Sequence, residues 1–314
     1  MEVSVIVPAW NAVPTLGRAL EALAAQRFDD GAYEVVVVDN GSTDATRELI
    51  EAAPGVRLVA RGEHGLAGEA RNDGAAAARG SILAFTDADC FPEPDWLANG
   101  VRALEQADVV QGRVRPDPGA PIGPFDRSLW VGAQDGLFQT ANMFMRRELF
   151  ERVGGFEELH GDAGARAFGE DVWLGWRAVR AGARAAFAAE AVVNHAVLPR
   201  GASAYVRERA RLGGFPMLVA RIPELRGTRL TRGLFLSERT AAFDLALAGA
   251  ATALARRSRW PLAAALPYAW TIGSRALESG PRRAPLVAAV ELAADAVGLA
   301  ALVRGSLRHR APVL

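Results

Sequence analysis

The sequence predicts an α/β protein with a doubly wound, mainly parallel sheet, followed by a helical C-terminal appendage. Short runs of apolar and β-branched residues, without polar interruption, are typical of strands buried on both faces. Helical segments separate these runs, which favours parallel strands joined by crossovers. After residue 235, apolar segments alternate with arginine clusters, so we predict domains at residues 1–235 and 236–314.

The first ninety residues contain four predicted strands, with a helix after each of the first three. The strands are residues 3–7, 34–38, 56–60 and 82–85, and the helices are residues 16–26, 42–52 and 66–79. Pro8 should end the first strand, because proline cannot donate to a sheet ladder. Thr15 is the expected N-cap of the first helix.

Later elements are more widely spaced. We predict a helix beginning near Asp95, a strand over 108–114, a strand over 140–145 with a helix over 147–153, and a strand over 191–194. A proline- and glycine-rich loop at 116–124 is a place for an acceptor or a lid.

Composition excludes several classes of protein. The formal net charge is zero and lysine is absent, which argues against a protein built around nucleic acid. The single cysteine, Cys90, excludes an internal disulfide and a multi-cysteine zinc site. No secretory signal is visible, so we expect the catalytic part to be cytoplasmic. The first turn, VPAWN, lacks the G-x-G-x-x-G of dinucleotide-binding proteins, which argues against a nicotinamide-dependent oxidoreductase.

The segment SILAFTDADC, residues 81–90, contains the first candidate site. Asp87 and Asp89 follow a predicted buried strand, so in an open α/β sheet they lie at the carboxyl edge, where ligands usually bind. Two carboxylates this close repel each other unless a cation lies between or beside them. The alternative is a turn that caps the next helix.

Three segments, VSVIVPAWN, VVVVDNGSTDAT and GEARNDGAAAARGSILAFTDAD, resemble the nucleotide-sugar half of the family 2 glycosyltransferases, in the order of that family. Two later segments, TANMFMRRELFERVGGF and GEDVWLGWRAVRAG, extend the resemblance over about residues 1–200. It implies the GT-A fold and an inverting transfer of a sugar from a nucleoside diphosphate to an acceptor hydroxyl. A UDP-sugar is the commonest donor in that family.

The resemblance also implies roles for the acidic residues. Asp89 is the first predicted ligand of a Mn²⁺ or Mg²⁺ ion, since such cations take oxygen ligands and offset the charge of the leaving diphosphate. Asp87 contacts the ribose or shares the metal. Asp39 accepts from an N–H of the nucleobase, and the alternative is a helix N-cap formed with Asn40 and Ser42.

Further residues complete the predicted nucleotide site. Pro8, Ala9 and Trp10 match the loop that lines the base pocket of the family, where an aromatic ring can stack on the base. Trp10 could instead belong to the core. Arg71 can hydrogen-bond the base or offset the charge of Asp39, and the alternative is a surface arginine.

A second acidic pair, Glu170 and Asp171, resembles the ED motif of the family. We predict that Asp171 takes the proton of the acceptor hydroxyl, with Glu170 behind it, although the two could exchange roles. An unplaced pair of this kind would otherwise complement a helix dipole. His195, after the last predicted strand, is either a further metal ligand or a structural histidine.

Two other functions compete with sugar transfer. A nucleotidyltransferase also uses a metal and an α/β sheet, but it usually has a glycine-rich, basic loop after strand one, which VPAWNAV does not supply. A non-catalytic scaffold would not need both acidic pairs. The Q-x-x-R-W signature of processive members of the family is absent, which favours an enzyme that adds a single sugar.

The C-terminal residues have a different character. Residues 236–314 contain ten arginines and five acidic residues around apolar segments at 241–255, 260–272 and 285–303. The first two are short for crossing about 30 Å of hydrocarbon, and the third holds Glu291 and Asp295. We predict helices that contact a membrane at the cytoplasmic face of the inner membrane, beside a lipid-linked or cell-envelope glycan acceptor. The alternatives are a soluble cap and self-association.

Overall fold

A computed structural model describes residues 2–29, 32–157, 159 and 169–314. The chain divides into two compact units. The first contains Met1–Pro121 and Ser128–Val197, and the second contains Ile122–Arg127 and Leu198–Leu314. The domain boundary that we expect at residue 235 stays a prediction.

The first unit is built on an eight-stranded sheet. Its strands are β1 (Val3–Ala9), β2 (Tyr33–Asp39), β3 (Val56–Ala60), β4 (Ile82–Phe85), β5 (Cys90–Pro92), β6 (Val109–Pro116), β7 (Met143–Arg146) and β8 (Ala185–His195). Its helices are α1 (Val13–Ala24), α2 (Thr46–Ala52), α3 (Ala67–Ala77), α4 (Trp96–Ala103), α5 (Arg147–Arg152) and α6 (Glu170–Arg180). Strands therefore alternate with helices over the first half of the unit, as the apolar pattern predicts.

The sheet has the strand order β3-β2-β1-β4-β7-β6-β8-β5. Strands β1 to β4 are parallel, and β8 is parallel to β6. Strand β7 is antiparallel to both of its neighbours, and β5 is antiparallel to β8. The sheet is mixed and mainly parallel, so β1, β2, β4, β6 and β8 all end at the same edge.

Strand β1 is buried on both faces. Val5 and Val7 pack in one apolar cluster with Leu16 and Leu23 of α1. On the other face α3 approaches so closely that a Cβ at Gly74 would lie 2.6 Å from the Cγ2 of Ile6. The small residues of α3 are therefore needed for this helix to pack on the sheet.

Pro8 lies inside β1, opposite Val38, and does not end the strand as predicted. The carbonyl of Ile6 accepts from the Thr86 N–H, on the side of β4. Pro8 lies two residues further along, so its nitrogen points to the same side. Because β4 ends at Phe85, opposite Ile6, no ladder bond is lost there.

Helix α1 begins three residues earlier than predicted. Pro14 occupies its first turn, where a missing N–H costs nothing and the fixed φ angle suits the helix. Thr15 is therefore inside the helix and is not its N-cap. Strand β5 was not predicted, because three residues beside a turn carry no periodic pattern.

Asn142 is fully buried and connects three elements of the first unit. Its Nδ2 donates to the carbonyls of Arg113 and Ala191, both at 2.8 Å. Its Oδ1 accepts from the indole Nε1 of Trp96, also at 2.8 Å. All polar atoms of this side chain bond within the protein, which identifies Asn142 as a structural residue.

We expect Asn142→Ala to lower the free energy of unfolding by about 2 to 4 kcal/mol, because it leaves buried polar groups without partners. Urea unfolding followed by tryptophan fluorescence measures the change. Gln106→Ala, at an exposed position after α4, is the control and should have little effect. Equal stability of the two variants would contradict the structural role of Asn142.

The second unit is helical in its described elements. They are α7 (Ala202–Glu208), α8 (Phe215–Arg221), α9 (Leu225–Thr228), α10 (Glu238–Arg256), α11 (Leu266–Glu278) and α12 (Ala284–His309). The three apolar segments of the sequence all lie in helices. By length and composition alone, α12 is the one described helix that could cross a membrane.

The centre of α12 carries a buried polar network. Glu291, which is fully buried, accepts from the Tyr205 hydroxyl at 2.8 Å and from Arg239 Nη2 at 2.5 Å. Asp295 accepts from Arg239 Nη2 and from the Tyr268 hydroxyl, both at 2.7 Å. Burial raises the pKa of Glu291, but the bond and charge of Arg239, the bond from Tyr205 and the charge of Arg275 together outweigh it and keep the pKa below its ordinary value. Together, the two acidic residues of α12 therefore bond to side chains of α7, α10 and α11.

Candidate active site

The predicted acidic residues and His195 lie at the carboxyl edge of the sheet. Asp39 is the last residue of β2, and His195 is the last residue of β8. Asp87 and Asp89 follow the end of β4. Because these strands run in the same direction, their ends bring together residues that are far apart in the sequence.

Asp39 is an ionised acceptor held in place by two bonds. Its Oδ1 accepts from the Ser42 N–H, and its Oδ2 accepts from Arg47 Nε, both at 2.9 Å. Burial raises the pKa of Asp39, but these bonds outweigh it and keep the pKa below its ordinary value. Arg47, which the sequence reasoning missed, offsets the charge of Asp39, so the prediction that Arg71 does so is wrong. The sequence does carry one signal for this pairing, because Arg47 lies in α2, the helix that follows Asp39 along the chain.

Arg71 connects the two acidic motifs. It is buried, so it is not a surface arginine. Its Nη2 donates to Asp87 Oδ1 at 2.8 Å, and its Nη1 donates to Glu170 Oε1 at 3.3 Å. Burial lowers the pKa of Arg71, but the two carboxylates outweigh it and raise the pKa above its ordinary value. The guanidinium is therefore a fixed positive charge between the motifs.

The start of α6 places the second acidic pair. Gly169, just before the helix, has a φ of 81°, which a residue with a side chain rarely adopts. A Cβ at Gly68 of α3 would lie 3.3 Å from Glu170 Cγ, so the two helices approach closely at this point. The two glycines thus allow Glu170 to reach Arg71.

Asp171 has an unusual proton affinity. Its Oδ1 accepts from the Val172 N–H at 2.8 Å. Burial and the neighbouring Glu170 raise the pKa of Asp171 to about 7, while the charge of Arg71 acts in the opposite direction. Asp171 is therefore a carboxyl group that can hold or release a proton near neutral pH.

Strand pairing places Asp89 beside His195. Cys90 of β5 is opposite His195 of β8, and His195 Nε2 lies 3.5 Å from Asp89 Oδ2. The Nδ1 of His195 is 2.7 Å from the Ala196 carbonyl and donates to it, since a carbonyl oxygen only accepts. In a neutral ring with this tautomer, Nε2 is the nitrogen that can bind a metal, and it is the one that faces Asp89.

Asp89, Cys90 and His195 could together hold a metal ion, since their ligand atoms lie within 4.8 Å of one another. A carboxylate oxygen and a neutral imidazole nitrogen fit a divalent cation such as Mn²⁺. Burial, together with the charges of Asp87 and Asp89, raises the pKa of the Cys90 thiol well above its ordinary value. Carboxylate and imidazole also suit Mn²⁺ better than a soft sulfur does, so Asp89 and His195 are the ligands that fit such an ion.

Trp10 is exposed at the edge of the sheet and is not part of the core. It has 45% of its surface accessible and stacks on the His64 ring with centroids 4.1 Å apart. The loop around His64 is fixed by Asn40, whose Nδ2 donates to the Gly65 carbonyl at 2.9 Å and whose Oδ1 accepts from the Gly65 N–H. The sequence reasoning assigned His64 no role.

Pro8 and Ala9 lie on β1 beside this exposed ring. Ala9 is opposite Asp39 in the register of β1 and β2. The half-buried Pro8 and the exposed Trp10 form the rim at this edge, whereas Ala9 and Asp39 are buried behind it.

Comparisons with known proteins agree with this geometry. The sequence profile described as glycosyl transferase family 2 matches residues 4–154. Glycosyltransferase AglE of Haloferax volcanii is 32% identical over 213 residues, which cover 63% of this chain and 68% of AglE. The chain belongs to glycosyltransferase family 2. The succinoglycan biosynthesis protein ExoO of Rhizobium meliloti, another relative, is 40% identical over 118 residues, covering 37% of this chain and 32% of ExoO.

Solved structures show the GT-A fold of the family. The mannosyltransferase PcManGT of Pyrobaculum calidifontis, solved with GDP-Man and Mn²⁺, has a TM-score of 0.58 and 25% identity, covering 97% of this chain and 86% of PcManGT. Residues 1–349 of S. aureus TarS, solved with UDP-GlcNAc, have a TM-score of 0.54 and 19% identity, covering 99% and 93% of the two chains. At that identity the likeness to TarS concerns the fold alone. As a family 2 member, the chain is a glycosyltransferase that takes its sugar from a nucleotide sugar.

We expect Arg71→Met to lower the free energy of unfolding at pH 7.5 by about 2 to 3 kcal/mol, because it leaves the partly buried carboxylates of Asp87 and Glu170 without their positive partner. Arg61→Met is the matched control. Arg61 also pairs with two carboxylates, Glu69 and Asp73, but both are largely exposed, so the loss should be about 1 kcal/mol or less. Equal losses in urea unfolding would contradict the special role of Arg71.

Proposed function

We propose that this glycosyltransferase is metal-dependent and inverting, and that Asp171 is its catalytic base. The observation that carries the proposal is the pair of bonds from Arg71 to Asp87 and Glu170. These bonds bring the acidic motif of the donor side next to the acidic pair that contains the base. A scaffold without activity would have no need to hold the carboxylates of Asp87, Glu170 and Asp171 close together.

The rim around Trp10 is the proposed site of the nucleoside. Asp39 can accept from an N–H of the base, and the exposed ring of Trp10 offers an apolar face to it. Pro8 belongs to the same rim, and Ala9 lies buried behind it. The family resemblance favours a UDP-sugar, whereas PcManGT was solved with GDP-Man. Thermal shift with a panel of UDP- and GDP-sugars in the presence of Mn²⁺ would rank the donors.

Asp89 and His195 are the proposed ligands of Mn²⁺ or Mg²⁺, with Asp87 beside them. When bound, the ion neutralises charge on the diphosphate that leaves. Arg71 keeps Asp87 in place, and the Ala196 carbonyl keeps the ring of His195 in the tautomer that a metal ligand requires. The Mn²⁺ in the PcManGT structure supports this choice of ion.

Asp171 is proposed to take the proton of the acceptor hydroxyl. A base with a pKa near the working pH combines a useful fraction of the ionised form with enough basicity to accept the proton. The acceptor oxygen then attacks the anomeric carbon from the face opposite the diphosphate, and the configuration is inverted. Glu170 holds Arg71 behind the base, so it positions the site without touching the proton.

We expect Asp171→Asn to abolish sugar transfer but leave donor binding almost unchanged, because the amide keeps the shape of the side chain and loses its basicity. Asp89→Ala should weaken donor and metal binding together. Transfer assays and calorimetric titration with the nucleotide and Mn²⁺ separate the two effects.

The pH profile of the native enzyme checks the same assignment. Below about pH 7 Asp171 takes up a proton, so kcat/KM should fall about tenfold for each further pH unit. Transfer by Asp171→Asn at the native rate, or a native profile that stays flat down to pH 5, would show that the base is another residue.

The second unit is proposed to lie on an anionic membrane surface, at the cytoplasmic face of the inner membrane. Twelve of the sixteen exposed large apolar residues in the described chain lie at position 245 or beyond. Trp260 and Trp270, with exposed fractions of 88% and 79%, are among them. Arg256, Arg257 and Arg259 are exposed beside Trp260. Indole rings with neighbouring arginines are typical of a surface that meets lipid headgroups, and a lipid-linked acceptor or a cell-envelope glycan precursor would be available there.

We expect the full-length chain to float with acidic liposomes at low salt, and Trp260→Ser with Trp270→Ser to reduce the floated fraction strongly. High salt should release part of the protein, since each arginine contributes about 1 kcal/mol or less and is screened. Trp130→Ser removes an exposed indole from the first unit, 72% accessible, and is the matched control. A chain that stays at the bottom of the gradient would indicate a soluble cap or a self-association surface instead.

A further inference from the structure

An apolar groove of about 880 Å³ lies between α10 and α12 of the second unit. Its walls include Leu247 of α10 and Leu299, Val303 and Leu307 of α12. The polar side chains that line it are two arginines, Arg304 and Arg308. Both are exposed and lie one turn apart near the C-terminal end of α12.

The lining limits what this groove can bind. A peptide or a sugar would bring many hydrogen-bonding groups into walls that offer them no partners, and each unmet group costs free energy. A hydrocarbon chain has no such groups and fits a groove of this volume. Arg304 and Arg308 place positive charge at one end of the groove, and phosphate oxygens are the acceptors that a guanidinium pairs with best.

We propose that this groove binds a single-chain lipid phosphate, with the hydrocarbon chain along the apolar walls and the phosphate paired with Arg304 and Arg308. A two-chain phospholipid of the bulk bilayer is the competing ligand, and the test below distinguishes the two. The inference rests on the proposed lipid-linked acceptor and deepens it, since it names the chemical class and the surface that would recognise it.

The position of the groove on α12 supports the assignment. Glu291 and Asp295 lie in the N-terminal half of the helix and bond to Tyr205, Arg239 and Tyr268, and residues 297–309 of its C-terminal half contain no acidic residue. A phosphate beside Arg304 and Arg308 therefore meets no acidic side chain of that half of α12. The C-terminal end of the helix carries a partial negative charge, which the two arginines offset.

The test measures binding of farnesyl phosphate to the full-length protein by intrinsic fluorescence or calorimetry, with farnesol and inorganic phosphate as separate probes. Farnesyl phosphate should bind better than either probe alone. Ala300→Trp, which fills the groove, should weaken binding of farnesyl phosphate at least tenfold. Arg304→Gln with Arg308→Gln should weaken farnesyl phosphate about tenfold and leave farnesol unchanged, because only the charged end is lost.

Arg102→Gln with Arg152→Gln removes two exposed arginines of the first unit and is the matched control. The arginine variants change exposed side chains and should fold even if Ala300→Trp does not. Unchanged binding in Arg304→Gln with Arg308→Gln would overturn the proposal, and so would equal binding of inorganic phosphate or effective competition by a two-chain phosphatidic acid. If farnesyl phosphate binds but the enzyme glycosylates no lipid, the proposed binding site is supported. Only the proposal of a lipid-linked acceptor is then overturned.

Discussion

The buried guanidinium of Arg71 is the interaction on which the site depends. Arg71 pairs with Asp87 and with Glu170, 99 residues further along the chain. Carboxylates that approach one another away from water repel strongly unless a positive charge lies between them. The same charge opposes the rise in the pKa of Asp171 that burial and Glu170 cause. One side chain therefore holds the motifs together and keeps the proposed base ionisable near neutral pH.

Strand direction explains why residues from four parts of the chain can meet at one edge of the sheet. Strands β1, β2, β4 and β8 end at one edge, although antiparallel β7 lies between β4 and β6. The pairing of β5 with β8 then sets Asp89 against His195. A shift of one residue in that pairing would turn His195 to the other face of the sheet. The short strand β5 thus matters for the proposed metal site more than for the stability of the sheet.

Much of this arrangement could be predicted from the sequence, because apolar runs and helical periodicity are local signals. The parallel strands and the acidic ends of β2 and β4 were predicted in this way. Pairings between distant residues have no such signal, so the partnership of Arg47 with Asp39 was missed and Arg71 was given the wrong partner. The prediction that Pro8 ends β1 was wrong for a related reason. The missing N–H of Pro8 would cost a ladder bond only if the neighbouring strand β4 continued alongside it, and the residues around Pro8 do not show where β4 ends.

In the second unit, the structure shows a role for acidic residues that the apolar composition of its helices does not indicate. Its helix α12 has the apolar composition of a membrane span, yet its acidic residues bond to three neighbouring helices. The acidic side chains of α12 are paired inside the unit. Apolar side chains lie on its outer surface, where Leu286, Leu292 and Leu307 are exposed. Each Å² of such surface gains about 25 cal/mol when it is covered. The exposed arginines of these helices add a preference for negative charge, so the anionic lipid surface proposed above would match both features of the unit.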